Sequence, residues 1–262
     1  LIGGYVTPLV LSTGQNRPTL LFSYVLILSG GAVLCAYRRK WSAVTIAAFV
    51  GTYLLYTAWF EKFYRPAMAG DPAPRQLVVA LVWLSIFFFV YLMLPLLHTL
   101  ARRVRSQAQD VVLLLANAAV VFYYLWILLD EEHRKALALC CLVMGAAHLA
   151  LMALATVRCR EDLDLRQALL AAGVAFLTLA VPLYFDMHAV AMIWAVEGLV
   201  LAVIGLRYRS TAVQILAAFV FGLAVGDLLV DLPMHQAPFR VIANAPFGAW
   251  CFAAVALMVC HV

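Results

Sequence analysis

The stretch that decides the fold is QLVVALVWLSIFFFVYLMLPLLHTLA, residues 76–101, in which 26 residues follow one another without a charged side chain. A helix needs roughly 20 apolar residues to cross the hydrocarbon core of a bilayer, so this segment is long enough to span one. The whole chain has the same character, since 66% of its residues are hydrophobic and 12% are charged. An ordinary soluble domain is about a quarter charged. These values predict a polytopic membrane protein.

Apolar stretches of similar length recur along the chain and predict an all-α transmembrane helical bundle. The complete spans are expected at 19–37, 41–60, 76–101, 111–129, 136–157, 167–185, 187–206 and 210–230, with partial or terminal spans at 1–11 and 245–262. Both ends of the sequence lie in apolar segments. We therefore expect residues 1–262 to form a single transmembrane domain that is a fragment of a longer protein.

Lys and Arg predict the orientation of the bundle, because cytoplasmic connections of inner-membrane proteins are enriched in positive charge. Four connections hold 11 of the 18 basic residues: 38–40, 101–109, 158–166 and 207–210. We expect these on the cytoplasmic side, and the longer connections 61–75 and 231–244 outside. The basic connections and the net charge of +5 suit anionic lipid headgroups. The sequence has no basic-aromatic motif typical of nucleic-acid binding.

Local patterns predict helix packing and a weak internal repeat. Residues 42–50 resemble residues 211–220, which suggests a parallel repeat of 19–60 and 187–230. Small residues at Gly30-Gly31, Gly145-Ala146-Ala147 and Gly222-x-x-x-Gly226 predict close helix approach. Pro95 and Pro182 predict a bend or a break within their helices.

Several short motifs resemble a known family. They are Gly3-Gly4-Tyr5-Val6-Thr7-Pro8, Ser12-Thr13-Gly14, Arg38-Arg39-Lys40-Trp41, Ala48-Phe49-Val50-Gly51-Thr52, Ala180-Val-Pro-Leu-Tyr-Phe-Asp186, Trp194-Ala-Val-Glu-Gly198 and Gly205-Leu-Arg-Tyr-Arg209. Together they resemble the bacterial polytopic membrane proteins of domain of unknown function 2339. The resemblance covers nearly the whole chain and implies an inner-membrane helical bundle, usually within a longer protein. It implies no established chemistry.

Glu197 is the most informative single residue, because it lies at the centre of a predicted span, about 14 Å from either edge of a core about 30 Å thick. A carboxylate there costs on the order of 3 kcal/mol, so we expect it to be protonated, paired or facing a wet cavity. His148 and Asn117 are candidate partners, and Trp194 shares its helical face. The structural alternative is a neutral acid bonded to a backbone carbonyl, with the other three residues serving helix packing.

A second polar group is expected on the outer face, namely Asp186, His188, Asp227, Asp231 and His235, together with Glu61, Glu131, Glu132 and His133. Solvated loop charge is the simpler explanation for this set. A metal site would need three or four converging ligands, and the sequence contains no HExxH motif and no Cys cluster. We expect no metal and no cofactor.

The sequence leaves three functions open. It contains no GxSxG elbow, P-loop, dinucleotide fingerprint or zinc motif, which favours a non-enzymatic role. The preferred function is binding or transport of a proton or small polar solute in a helix-bundle cavity. The alternatives are a non-catalytic envelope scaffold or assembly protein, and a membrane-embedded transferase for a lipid-linked substrate. Expected partners are the lipid bilayer and further helices, from a longer chain or from partner membrane subunits.

Overall fold

A computed structural model describes residues 2–10, 15–39, 42–68, 74–102, 105–129, 133–159, 161–185, 187–207 and 209–230. Regular structure in these ranges is entirely helical. The α-helices are α1 Ile2–Val10, α2 Pro18–Arg39, α3 Ser42–Trp59, α4 Arg65–Met68, α5 Pro74–Arg102, α6 Ala108–Leu128, α7 Arg134–Arg158, α8 Leu163–Tyr184, α9 Met187–Arg207 and α10 Thr211–Val230. The all-α prediction is confirmed, and the predicted span 245–262 lies outside the described residues.

Six helical segments of the described chain are long and apolar enough to cross a membrane. They are Pro18–Cys35, Ala43–Tyr64, Arg75–Leu94, Ala108–Leu128, Arg134–Arg158 and Leu163–Tyr184. Helices also occupy the predicted spans 187–206 and 210–230, as α9 and α10. The apolar part of α10, Val213–Gly226, is shorter than a full span. The membrane-spanning helical class is therefore supported, while the count of eight spans stays a prediction.

The predicted outer connection 61–75 is wrong in its first half, where α3 continues through a π-helical turn, Phe60–Tyr64, into α4. Burial explains the continuation, because Phe60 and Tyr64 are both fully buried and their rings stack 5.2 Å apart. Glu61 and Arg65, which suggest a loop in the sequence, pair at 2.7 Å on the exposed side of the same helix. An i,i+4 ion pair supports helical structure.

The chain clusters into two compact units. The N-terminal unit comprises Leu1–Leu128 and Leu154–Leu165, and the C-terminal unit comprises Leu129–Ala153 and Arg166–Val262. The single-domain prediction and the proposed repeat of 19–60 and 187–230 stay predictions.

Four buried hydroxyls hold the helices of the N-terminal unit together. Tyr5, Ser29, Thr52 and Tyr91, from α1, α2, α3 and α5, contact one another at O–O distances between 2.7 and 3.2 Å. Each hydroxyl can both donate and accept, so the group satisfies its own hydrogen bonds without water. Gly51 admits the Tyr5 ring, since a Cβ at this position would lie 2.6 Å from the ring. This hydroxyl cluster fixes α1 against the bundle.

Two predicted cytoplasmic connections, 101–109 and 158–166, are joined within the N-terminal unit. The buried carboxylate of Asp162 accepts hydrogen bonds from the backbone N–H of Ser106 at 2.6 Å, from its hydroxyl at 3.0 Å and from the N–H of Leu165 at 3.2 Å. Asp162 therefore caps the first turn of α8 while it binds the start of α6. Arg105 and Asp164 pair at 3.1 Å beside it.

The C-terminal unit is built on close helix contacts. The Cβ of a residue replacing Gly145 of α7 would lie 3.1 Å from the carbonyl oxygen of Gly173 in α8, so the predicted close approach at Gly145 is confirmed. The other predicted pairs, Gly30-Gly31 and Gly222 with Gly226, have no described atom within 4 Å of such a Cβ. Helices α9 and α10 form a hairpin closed by hydrogen bonds from Ser210 and Gln214 to the Gly205 carbonyl.

Candidate functional site

Glu197 lies at the middle of α9 and is half-buried. Its Oε1 is 2.9 Å from the hydroxyl oxygen of Thr178, a buried residue of α8. Thr178 is the partner that sequence reasoning missed. The carboxyl group is therefore bonded to a neighbouring helix halfway along its own.

Pro182 explains why α8 offers a second polar atom at the same place. A proline has no N–H, so the helical hydrogen bond that residue 182 would donate to the carbonyl of Thr178, four residues earlier, cannot form. The indole N–H of Trp194 donates to this carbonyl at 2.9 Å. Trp194 and Glu197, three residues apart on α9, thus bind the carbonyl and the hydroxyl of one threonine.

The Thr178 hydroxyl has more acceptors than protons. Its oxygen lies 2.9 Å from Glu197 Oε1 and 2.9 Å from the backbone carbonyl oxygen of Val174. A hydroxyl carries one proton and donates fully to one acceptor at a time. With an ionised Glu197, two acceptors compete for that proton. With a protonated Glu197, the acid donates to Thr178 while Thr178 donates to Val174, and every group is satisfied.

Glu197 also lines an open groove of about 480 Å³ in the C-terminal unit, which we call the Glu197 groove. Helices α7, α8 and α9 form its walls through side chains such as Leu142, Leu177 and Val196. Apart from the carboxyl of Glu197 and the hydroxyl of Tyr184, the lining side chains are aliphatic or aromatic hydrocarbon. These walls give an ionised acid no solvation of their own, because an apolar environment does not solvate charge.

The other intramembrane candidates have separate hydrogen bonds. His148 is buried in α7, where Nδ1 lies 2.8 Å from the carbonyl of Met144 and the ring lies 5.6 Å from that of Phe176. Asn117 belongs to the N-terminal unit, where it accepts from the Tyr53 hydroxyl at 2.7 Å and donates to the Phe88 carbonyl at 3.0 Å. Trp194, which was predicted only to share the helical face of Glu197, is joined to the same site by its hydrogen bond to the Thr178 carbonyl.

The outer-face candidates are only partly within the described structure. Asp186, Asp231 and His235 lie outside the described residues. His188 and Asp227 lie in α9 and α10, but their side chains are outside the described part. Within the described ranges, no three His, Cys, Asp or Glu side chains converge in a way that could hold a metal ion.

Comparison with known families decides the class of the protein. A family model described as a predicted membrane protein, domain of unknown function 2339, matches residues 1–261. The chain belongs to this family. The resemblance inferred from the short motifs is therefore confirmed, and this family's membrane assignment agrees with the apolar helices. The chain matches no curated protein and no solved structure. Two of the family-like motifs, around Pro182 and around Trp194 to Gly198, carry the site described above.

Proposed function

We propose that this protein is a membrane binding or transport protein whose proton-binding group is Glu197. The observation that carries the proposal is the pair of 2.9 Å contacts at Thr178, beside an acid in an apolar groove. In this proposal α9 and α10 also cross the membrane, so Glu197 lies near the middle of the bilayer. The membrane is proposed to be a bacterial inner membrane, with the connections 38–40, 101–109, 158–166 and 207–210 on the cytoplasmic side.

Protonation and hydrogen-bond direction are coupled in this arrangement. A neutral Glu197 donates to Thr178, which donates to the Val174 carbonyl. When the proton leaves, the hydroxyl of Thr178 turns from Val174 to the carboxylate, because a carboxylate can only accept. Helix α8 then loses the hydrogen bond from Thr178 to Val174, and Glu197 of α9 gains a charge-assisted one. Proton binding is thereby linked to the contact between α8 and α9.

The apolar walls favour a neutral acid until water or a solute enters the groove. Ionisation at the centre of a bilayer costs on the order of 3 kcal/mol on insertion scales. A small polar solute that donates a hydrogen bond to Glu197 would reduce this cost. Binding of the solute and release of the proton are therefore coupled, as expected of a proton-linked transporter.

Proton flux in proteoliposomes tests the proposal. The full chain is reconstituted with a pH-sensitive dye inside, and a membrane potential drives proton entry. Glu197→Gln keeps the shape and can still bond to Thr178, but it cannot ionise. We expect the wild-type chain to conduct protons and the flux through the variant to be at least about tenfold lower. A tenfold difference corresponds to about 1.4 kcal/mol in the barrier.

Glu161→Gln is the matched control, because Glu161 is an exposed acid outside the Glu197 groove. This variant should conduct at the wild-type rate. Circular dichroism and gel filtration establish that all three proteins are folded. Equal flux in Glu197→Gln and wild type would exclude Glu197 as a transported-proton site and favour the scaffold alternative. No flux in any of the three proteins would exclude proton conduction in the absence of a solute.

A further inference from the structure

A second cavity, of about 500 Å³, lies in the N-terminal unit beside the starts of α2 and α5. Arg17, Arg75, Gln76 and Trp59 line it together with residues of the first turns of these helices. Trp59 is the last residue of α3 before the π-helical turn, so this turn and two helix starts meet at the cavity. We call it the Arg17–Arg75 pocket.

Both arginines bring positive charge to a pocket that has no acid among the described residues of its lining. Each side chain is exposed, and the ion pairs found among the described residues involve Arg65 and Arg105 instead. Arg17 and Arg75 also fall in the minority of basic residues that lie outside the four basic connections. The usual enrichment of Lys and Arg on the cytoplasmic side therefore does not explain why they lie together here.

Two helix starts add to this positive potential. The N–H of Leu21 bonds to the carbonyl of Arg17 at 3.2 Å, which makes Arg17 the residue that caps α2. Pro18 and Pro74 occupy the first helical positions, as is common where a helix begins. The N–H groups that follow each proline have no carbonyl one turn earlier within the helix, and such groups favour an anion.

The neutral residues of the pocket suit a ligand with a polar head and an apolar body. The indole N–H of Trp59 donates to Asn16 Oδ1 at 3.0 Å and holds the segment before α2 against the end of α3. The amide of Gln76 has an oxygen that is buried without a described hydrogen-bond partner, so rotation of this amide would present N–H groups. Leu20 and Val79 form an apolar wall.

We propose that the Arg17–Arg75 pocket binds a phosphate group, independently of Glu197. Guanidinium groups bind phosphate oxygens through paired hydrogen bonds, and the oxygens of one phosphate, whether a free ion or a diester, can accept from both arginines. The two helix starts favour an anion. The phosphate can belong to a phospholipid headgroup at the membrane edge or to a phosphate compound in solution.

Thermal unfolding of the full chain tests this binding. The protein is held in a neutral detergent at fixed ionic strength set with chloride, and either inorganic phosphate or short-chain dihexanoyl phosphatidylglycerol is added at low millimolar concentration. A ligand that binds only the folded protein raises Tm with its concentration. We expect a saturable rise in wild type. The variant R17Q/R75Q should bind roughly 100-fold more weakly, about tenfold for each lost charged contact.

The control variant K135Q/R207Q removes the same charge from two exposed residues outside the pocket, and it should respond as wild type does. A rise with phosphatidylglycerol alone identifies a lipid headgroup, and a rise with inorganic phosphate identifies a soluble phosphate. An equal rise in R17Q/R75Q would show general salt stabilisation and overturn the proposal, as would no rise in wild type with either ligand. If the double variant does not fold, R17Q and R75Q are measured singly, each with about tenfold weaker binding expected.

Discussion

The Trp194 hydrogen bond gives the sharpest test of how Pro182 shapes the site. Trp194→Phe removes the indole N–H and keeps most of the aromatic surface, so the Thr178 carbonyl loses its donor. Pro182→Ala restores a backbone N–H at the position that can donate to the same carbonyl. Trp194→Phe should therefore lower the free energy of unfolding by less when residue 182 is alanine than when it is proline.

The magnitude follows from one hydrogen bond in a membrane protein. Leaving a buried carbonyl without a donor costs about 1–3 kcal/mol in general, whereas side-chain hydrogen bonds between membrane helices average about 0.6 and reach about 1.7 kcal/mol. We expect Trp194→Phe to lower the free energy of unfolding by about 1 kcal/mol in the wild-type background. The coupling between the two substitutions should lie between about 0.6 and 1.7 kcal/mol.

Reversible unfolding in mixed micelles, followed by circular dichroism, measures the free energy of unfolding of the wild type, the two single variants and the double variant. The control cycle pairs Pro182→Ala with Trp126→Phe, since Trp126 is 57% exposed on α6. The control pair should be additive within about 0.3–0.5 kcal/mol, as is usual for independent sites. Additivity of Pro182→Ala with Trp194→Phe to the same tolerance would refute the reasoning that the proline frees a carbonyl for the indole.

Two further substitutions test the packing of the N-terminal unit by the same unfolding assay. Asp162→Asn replaces one acceptor oxygen by an NH2 group where three hydrogen bonds converge, so we expect the free energy of unfolding to fall by about 1.5–3 kcal/mol. The control Asp164→Asn, in the exposed pair with Arg105, should lower it by less than about 1 kcal/mol. Equal losses would mean that Asp162 does not join the two connections. Gly51→Ala places a Cβ 2.6 Å from the Tyr5 ring and should lower the free energy of unfolding by about 1–3 kcal/mol. The Cβ of Gly30→Ala meets no described atom within 4 Å, so this control should leave the free energy of unfolding unchanged or raise it. A stable Gly51→Ala would contradict the close contact of α1 and α3.

The helical class could be predicted because hydropathy reports which segments leave water. The prediction of a loop was wrong at residues 61–68. Glu61, Lys62 and Arg65 suggest a loop there, but Phe60 and Tyr64 are buried and the helix continues. Charges at a membrane edge can lie on one face of a helix while its other face stays buried. A local pattern of charge alone does not distinguish this case from a loop.

The position of Glu197 midway along its helix could be predicted, but its hydrogen-bond partner could not be predicted from hydropathy. Pairing of polar groups depends on which helices are neighbours. The spacing of apolar residues along one helix does not show which helix packs against it. His148 and Asn117 looked equally suitable in sequence, yet Asn117 bonds within the other unit and His148 bonds Met144 of its own helix. One sequence signal was available, because a helical Pro182 frees the carbonyl four residues earlier, at Thr178.

The protonation state of Glu197 tests the central claim most directly. Infrared spectra of the full chain in lipid nanodiscs at neutral pH resolve the C=O stretch of a protonated carboxylic acid from the bands of carboxylates. The proposal predicts a protonated-acid band in wild type that is missing in Glu197→Gln and retained in Glu161→Gln. A wild-type spectrum without that band, or a band unaffected by Glu197→Gln, would show that Glu197 is ionised and would contradict the claim.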